Sequence, residues 1–264
     1  MNKIVRYTLC ALFPMTTLCA FAAAPASSPF DGTWHIELAK TKFSPKPLSF
    51  YIGQNWYHCV TCNPTFAIPA DGQDHAVAGQ SFDTYSVTVV DPHTISATAK
   101  KDGKVISEQT RTVSDDGKVL TVKGTSYSLS GGPASTYEAT ARRDGAVPSA
   151  VHATSGDWVI EKESASDNGL TTTYKLNGDE LTMSAPTGET YTAKLDGSDY
   201  PVKNAVGWDT VSLKQVNAHT IEETDKRNGT VTDVSTMTVQ GPTMTIVDAN
   251  KLTDRTSTYV AHKK

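Results

Sequence analysis

Apolar residues in the C-terminal half of the chain alternate with polar ones; they do not recur every third or fourth position. Val211 and Leu213 fall on one side of an extended chain, Ser212 and Lys214 on the other, and Met244 and Ile246 alternate with threonines. A period of two marks a strand with one dry face and one wet face. Over the second half this pattern predicts eight to ten strands, at 155–162, 170–176, 180–185, 189–195, 199–202, 209–216, 219–226, 230–239, 242–248 and 255–262. Turn residues punctuate them. Asn177-Gly178 and Asn228-Gly229 each separate two alternating runs, and Asp102-Gly103 occupies the matching place in the first half. Such pairs tolerate positive φ, which the tight turns of hairpins require.

The two halves are copies of one unit. Residues 83–113 align without gaps to 209–239 at an offset of 126, with 14 of 31 positions identical. The flanks repeat as well: "GTW" at 32–34 and "GDW" at 156–158, "STYEA" at 135–139 and "STYVA" at 257–261. Units of this length are too long and too few for a solenoid. The expected organisation is a first copy at 30–143, a linker at 144–153 rich in small residues, and a second copy at 154–264. Each copy has enough strands to close on itself, which removes exposed sheet edges. The expected fold is therefore all-β, two tandem antiparallel barrels. Two β-sandwiches are the alternative, and a single sheet shared by both copies is a third arrangement.

Composition narrows the setting. Residues 1–26 combine Lys3 and Arg6 with a mostly apolar run and end on Ala24-Pro25-Ala26. That is the pattern of a secretory signal peptide; the run is broken by Pro14 and is short for a spanning helix. Cleavage removes Cys10 and Cys19 and leaves 22 basic residues against 28 acidic ones, a net charge of −6. With no basic cluster, nucleic acid is not an expected partner, nor is stable membrane insertion after cleavage. The expected location is the bacterial periplasm or the medium outside the cell, where disulfides persist.

The two G-x-W segments, Gly32-Thr33-Trp34 and Gly156-Asp157-Trp158, resemble the first strand of lipocalin-like barrels. The phrase "DTVSL…HTIEETDKRNGTV…TMTV" is similar to a family of exported, largely uncharacterised bacterial proteins with a lipocalin-like reading. The resemblance covers most of both copies. It implies that Trp34 and Trp158 close the floor of each barrel, beside a basic side chain of the last strand, for which Arg142 and Arg255 are the candidates. Independently of any family, a tryptophan on a first strand buries much apolar area and anchors a core.

Little else looks chemical. There is no G-x-S-x-G, H-E-x-x-H or P-loop, so no catalytic residues are assigned, and no cofactor is expected. His93 and His219 are equivalent in the repeat and read as turn residues. Glu222, Glu223 and Asp225 have no acidic counterpart in the first copy and read as a solvated face. "YHCVTCNP" carries Cys59 and Cys62. It lacks the second half of a zinc site, and the histidine precedes the first cysteine, where haem attachment needs one after the second. A metal is not expected. The motif reads as a local disulfide, with a C-x-x-C redox centre as the alternative. Around it the first copy has extra aromatics, Phe50, Tyr51, Trp56, Tyr57 and Phe66, which are candidates for ligand or interface contact. Three functions follow: a non-enzymatic module binding a small, partly apolar ligand; a structural or interaction protein of the cell envelope, with an envelope protein as partner; and an exported thiol oxidoreductase.

Overall fold

A computed structural model describes residues 28–146 and 148–264; the expected leader, 1–26, lies outside them. The regular structure of the described residues is nearly all strand, with two single-turn helices at Leu38–Lys40 and Asp167–Gly169. In order the strands are β1 (Gly32–Ile36), β2 (Leu48–Gly53), β3 (Trp56–Cys59), β4 (Phe66–Pro69), β5 (His75–Ala76), β6 (Thr84–Asp91), β7 (Thr94–Lys101), β8 (Lys104–Val113), β9 (Val119–Ser126) and β10 (Ser135–Asp144). The second half continues with β11 (Gly156–Ala165), β12 (Thr171–Asn177), β13 (Glu180–Ser184), β14 (Thr190–Lys194), β15 (Asp196–Lys203), β16 (Thr210–Asn217), β17 (Thr220–Arg227), β18 (Thr230–Gln240), β19 (Thr243–Asn250) and β20 (Arg255–Lys263). The alternation in the second half thus locates all of its strands to within a few residues.

The turns form for the reasons the residues suggest, with one adjustment. Asp102 and Gly103 have φ of 50° and 73°, and Asn228 and Gly229 have 50° and 77°, so both pairs fill the two central positions of a hairpin turn. Asn177 instead pairs with Glu180 as the last ladder residues, which places Gly178, with φ of 65°, first in that turn. At the equivalent turns of β6–β7 and β16–β17, the Asp91 and Asn217 side chains accept hydrogen bonds from the backbone N–H of His93 and His219, at 2.8 and 2.9 Å. The two histidines sit in these turns.

The strands make two ten-stranded antiparallel sheets, each wound into a barrel, one closed and one nearly so. The barrels do not coincide with the repeats 30–143 and 154–264. The first runs β4-β3-β2-β11-β10-β9-β8-β7-β6-β5 and so takes the G-x-W strand of the second copy. The second holds β12 to β20 and is closed by β1, which pairs antiparallel with both β12 and β20. The first barrel is therefore a continuous stretch, 48–165, inserted between the first and second strands of the other. It stops short of closure between β4 and β5, where Asp71 bridges to Thr88 of β6. The expected linker 144–153 joins β10 to β11 and packs back on the barrel: His152 donates its backbone N–H to the Ile52 carbonyl, at 2.9 Å.

Each G-x-W strand is seated the same way. Trp34 and Trp158 are almost fully buried, and each indole N–H donates to the carbonyl four residues earlier, Phe30 and Thr154, at 2.8 and 2.9 Å. A cation lies over each ring: Lys263 Nζ at 4.9 Å from the Trp34 centroid, and the Arg143 guanidinium carbon at 4.1 Å from that of Trp158. Each cation stands directly opposite its tryptophan in the ladder. The expected partners Arg142 and Arg255 are thus replaced by Arg143 and Lys263. Arg142 points outward to Glu161, at 3.2 Å, and Arg255 turns to the Lys46 carbonyl. The glycines of the motif make room. Gly32 and Gly156 have φ of 130° and 136°, and a Cβ on Gly156 would lie 2.3 Å from Arg143 Nη1.

A cavity in the first barrel, closed over by the second

The inner wall of the first barrel mixes aromatic and aliphatic side chains. β2 contributes Phe50, β3 Tyr57, β4 Phe66 and β6 Tyr85, with ring centroids 5.8–6.2 Å apart between Tyr57 and Phe66, Tyr57 and Tyr85, and Phe66 and Tyr85. Leu120 and Val122 of β9, and Trp158 and Ile160 of β11, continue the lining. Gly124 has no side chain for a steric reason: the Tyr137 ring of β10 lies across it, 2.4 Å from where a Cβ would stand. These walls line a half-open cavity of about 490 Å³, and a second space of about 430 Å³ shares Tyr57, Gln109 and Arg111 with it. Loops of the second barrel form part of the rim, through Arg227, Asn250 and Leu252. Two hydrogen bonds hold that rim: Asn63 Nδ2 to the Leu252 carbonyl and Arg227 Nη2 to the Gly79 carbonyl, both 2.9 Å.

The aromatic candidates separate by strand parity. Phe50, Tyr57 and Phe66 face the cavity or the smaller space beside it. Tyr51 and Trp56 are exposed on the outer face, with Tyr51 stacked on His58 at 4.3 Å. Trp158 is part of the cavity wall, whereas Trp34 sits in the second barrel's core. Cys59 and Cys62 are joined in a disulfide, with Cα atoms 5.4 Å apart, where β3 gives way to an irregular loop. No helix begins there, so the dipole that activates a C-x-x-C thiol is missing from this motif. Both cysteines lie on the cavity wall.

Arg111 is the polar centre of the cavity. It lies on β8, two residues from the buried Val113, so alternation turns it inward. Its guanidinium carbon sits 4.6 Å from the Phe50 centroid. Nη1 donates to Tyr57 Oη at 3.2 Å, Nη2 to Tyr85 Oη at 3.4 Å and Nε to Gln109 Oε1 at 3.3 Å. Gln109 Nε2 in turn donates to Tyr85 Oη at 3.2 Å. Burial pushes the Tyr85 phenol well above its usual range, so it stays neutral. Glu163 also lines the cavity, and burial raises its carboxyl while Arg255 works against that rise.

The second barrel has the opposite interior. Leu181, Leu213, Ile221, Met237 and Met244 fill it. Met237 stands where the first copy has Arg111, and Glu223 and Asp225 stand where it has Ala97 and Ala99. Glu223 is 8% exposed and accepts a hydrogen bond from Tyr191 Oη at 2.6 Å. The expectation of a solvated face is corrected for Glu223. It shares the inward face of β17 with Ile221, and its carboxyl lies in the core. Burial raises both acids above the carboxylate range, and Glu223 beside it raises Asp225 further. Among the described residues, no group of three or more His, Cys, Asp or Glu side chains is arranged to hold a metal.

Compared with protein-family models, with curated proteins and with solved structures, the chain matches none.

Proposed function

We propose that this is an exported, non-enzymatic binding protein of the lipocalin-like kind, whose first barrel holds a small, partly apolar ligand. The observation that carries the reading is the cavity of about 490 Å³. Its volume falls in the range of sites for small organic molecules, and its walls combine apolar area with a few convergent polar groups. The leader-like residues 1–26 support export, and the Cys59–Cys62 disulfide suits an oxidising compartment.

The test is native mass spectrometry of the full chain purified from its own host without detergent. The expected result is a co-purified small molecule that is absent from a Val122→Trp variant, in which the indole fills the space. Wild-type protein that is free of ligand, and that also leaves apolar fluorescent dyes unbound, would overturn the proposal.

A further inference from the structure

The chemistry inside the first barrel is unbalanced. Arg111 carries a permanent charge, since a guanidinium does not release its proton in a protein. It is half-buried, and it lies on the wall shared by the two spaces inside the barrel. Among the described residues no carboxylate lies within ion-pair distance of it; its polar partners are two phenols and an amide. An arginine has five N–H donors, and three are engaged here, which leaves two without an acceptor among the described residues. Tyr57 and Tyr85 accept from the guanidinium, and neither hydroxyl proton has an acceptor among the described residues. A charge partly withdrawn from bulk water without a counter-charge is costly, and a bound counter-ion offsets that cost.

The duplicated barrel provides an internal comparison. At the position of Arg111 the second barrel has Met237, fully enclosed in its core, so the fold itself does not require a cation there. The charge belongs to the first barrel alone, as does the cavity described above.

We propose that the first barrel's ligand is an amphipathic anion. Its carboxylate docks on Arg111, with the Tyr57 and Tyr85 hydroxyls as flanking donors, and its apolar body lies against Leu120, Val122 and Ile160. This rests on the reading of the barrel as a binding site and adds the class of ligand. The planar guanidinium matches a carboxylate in two parallel hydrogen bonds, which a lysine does not reproduce. The side chains of Leu120, Val122 and Ile160 offer the ligand nothing to hydrogen-bond.

Three twelve-carbon probes separate the outcomes: dodecanoate, dodecanol and dodecylamine, titrated calorimetrically into the full chain with its disulfide intact. At about pH 8 the carboxylate is ionised, and the wild type should prefer dodecanoate over dodecanol by about tenfold or more. In Arg111→Met, which installs the second barrel's residue, that ratio should fall to within about twofold of one. Arg111→Lys should keep a reduced preference, and it carries the comparison if the methionine variant does not fold. A wild-type ratio near one, or a tenfold preference surviving in Arg111→Met, overturns the anion assignment while leaving the cavity reading intact. Failure of all three probes to bind overturns the cavity reading and the assignment together.

Discussion

The buried carboxyls of the second barrel make stability fall as pH rises. Glu223 is carried by burial from its ordinary 4.5 to about 7. Its folded-state pKa is the higher one, so between those values the folded chain keeps a proton that the unfolded chain has released. The loss therefore begins near the unfolded value and is complete above the folded one. Once pH is well above both, the cost to the folded state is about 3 kcal/mol. Asp225, raised by burial and by Glu223, extends the loss to higher pH. The perturbation is the double variant Glu223→Gln/Asp225→Asn, which removes both titrations, keeps side-chain volume and leaves Tyr191 an amide oxygen to donate to. Urea midpoints measured at about pH 5, 7 and 9 give the profile. The wild type should lose about 1 M or more of midpoint relative to the variant over that span, for a slope in urea of about 2 kcal/mol per M. Parallel profiles for the two proteins would show that the carboxyls are solvated in the folded state, and would refute the reasoning.

Two further outcomes follow from the way the barrels are seated. Gly156→Ala forces a side chain to φ of 136° and into Arg143, so it should cost about 3 kcal/mol, whereas Gly103→Ala, in open space at φ of 73°, should cost only about 1–2 kcal/mol; thermal melts of both variants compare them. Removing residues 28–36 takes out β1 and uncovers the facing edges of β12 and β20, so gel filtration should find self-association or aggregation in place of the intact chain's behaviour.

The strands of the second half were legible because alternation marked each run, and at Asn177-Gly178 and Asn228-Gly229 a turn residue agreed with it. The inward acids were legible in part. Parity alone puts Ile221, Glu223 and Asp225 on one face, and a core isoleucine in that set marks the face as inner; reading the acids by charge instead put them in water. Arg111 carried the same kind of signal, two residues from Val113. The exchange of first strands was not legible, because the two G-x-W segments are near copies and either can lie beside a last strand. Their cations differ too, Arg143 against Lys263, and both satisfy the same packing on an indole. The connections decide between them: residues 166–170 carry the chain from β11 into the other barrel, and residues 37–47 carry it from β1. The cavity also escaped a reading by pattern, since it depends on which large side chains across the barrel fail to meet.

The insertion of one barrel within the other sets an order of assembly. On a chain growing from its N-terminus, every strand of the first barrel is present once β11 has been made, and all of its neighbours are local except β2 against β11. The second barrel has no such opportunity. Trp34 waits for Lys263, its partner across nearly the whole chain, and contacts of that separation are slow to form. Until β12 is made, β1 is an unpaired strand beside a finished domain that already contains the other G-x-W strand, and its second edge stays open until β20 is complete. The chain must therefore keep an early segment uncommitted through most of its own synthesis, and a holding chaperone or rapid transfer to the folding compartment would act on that segment first.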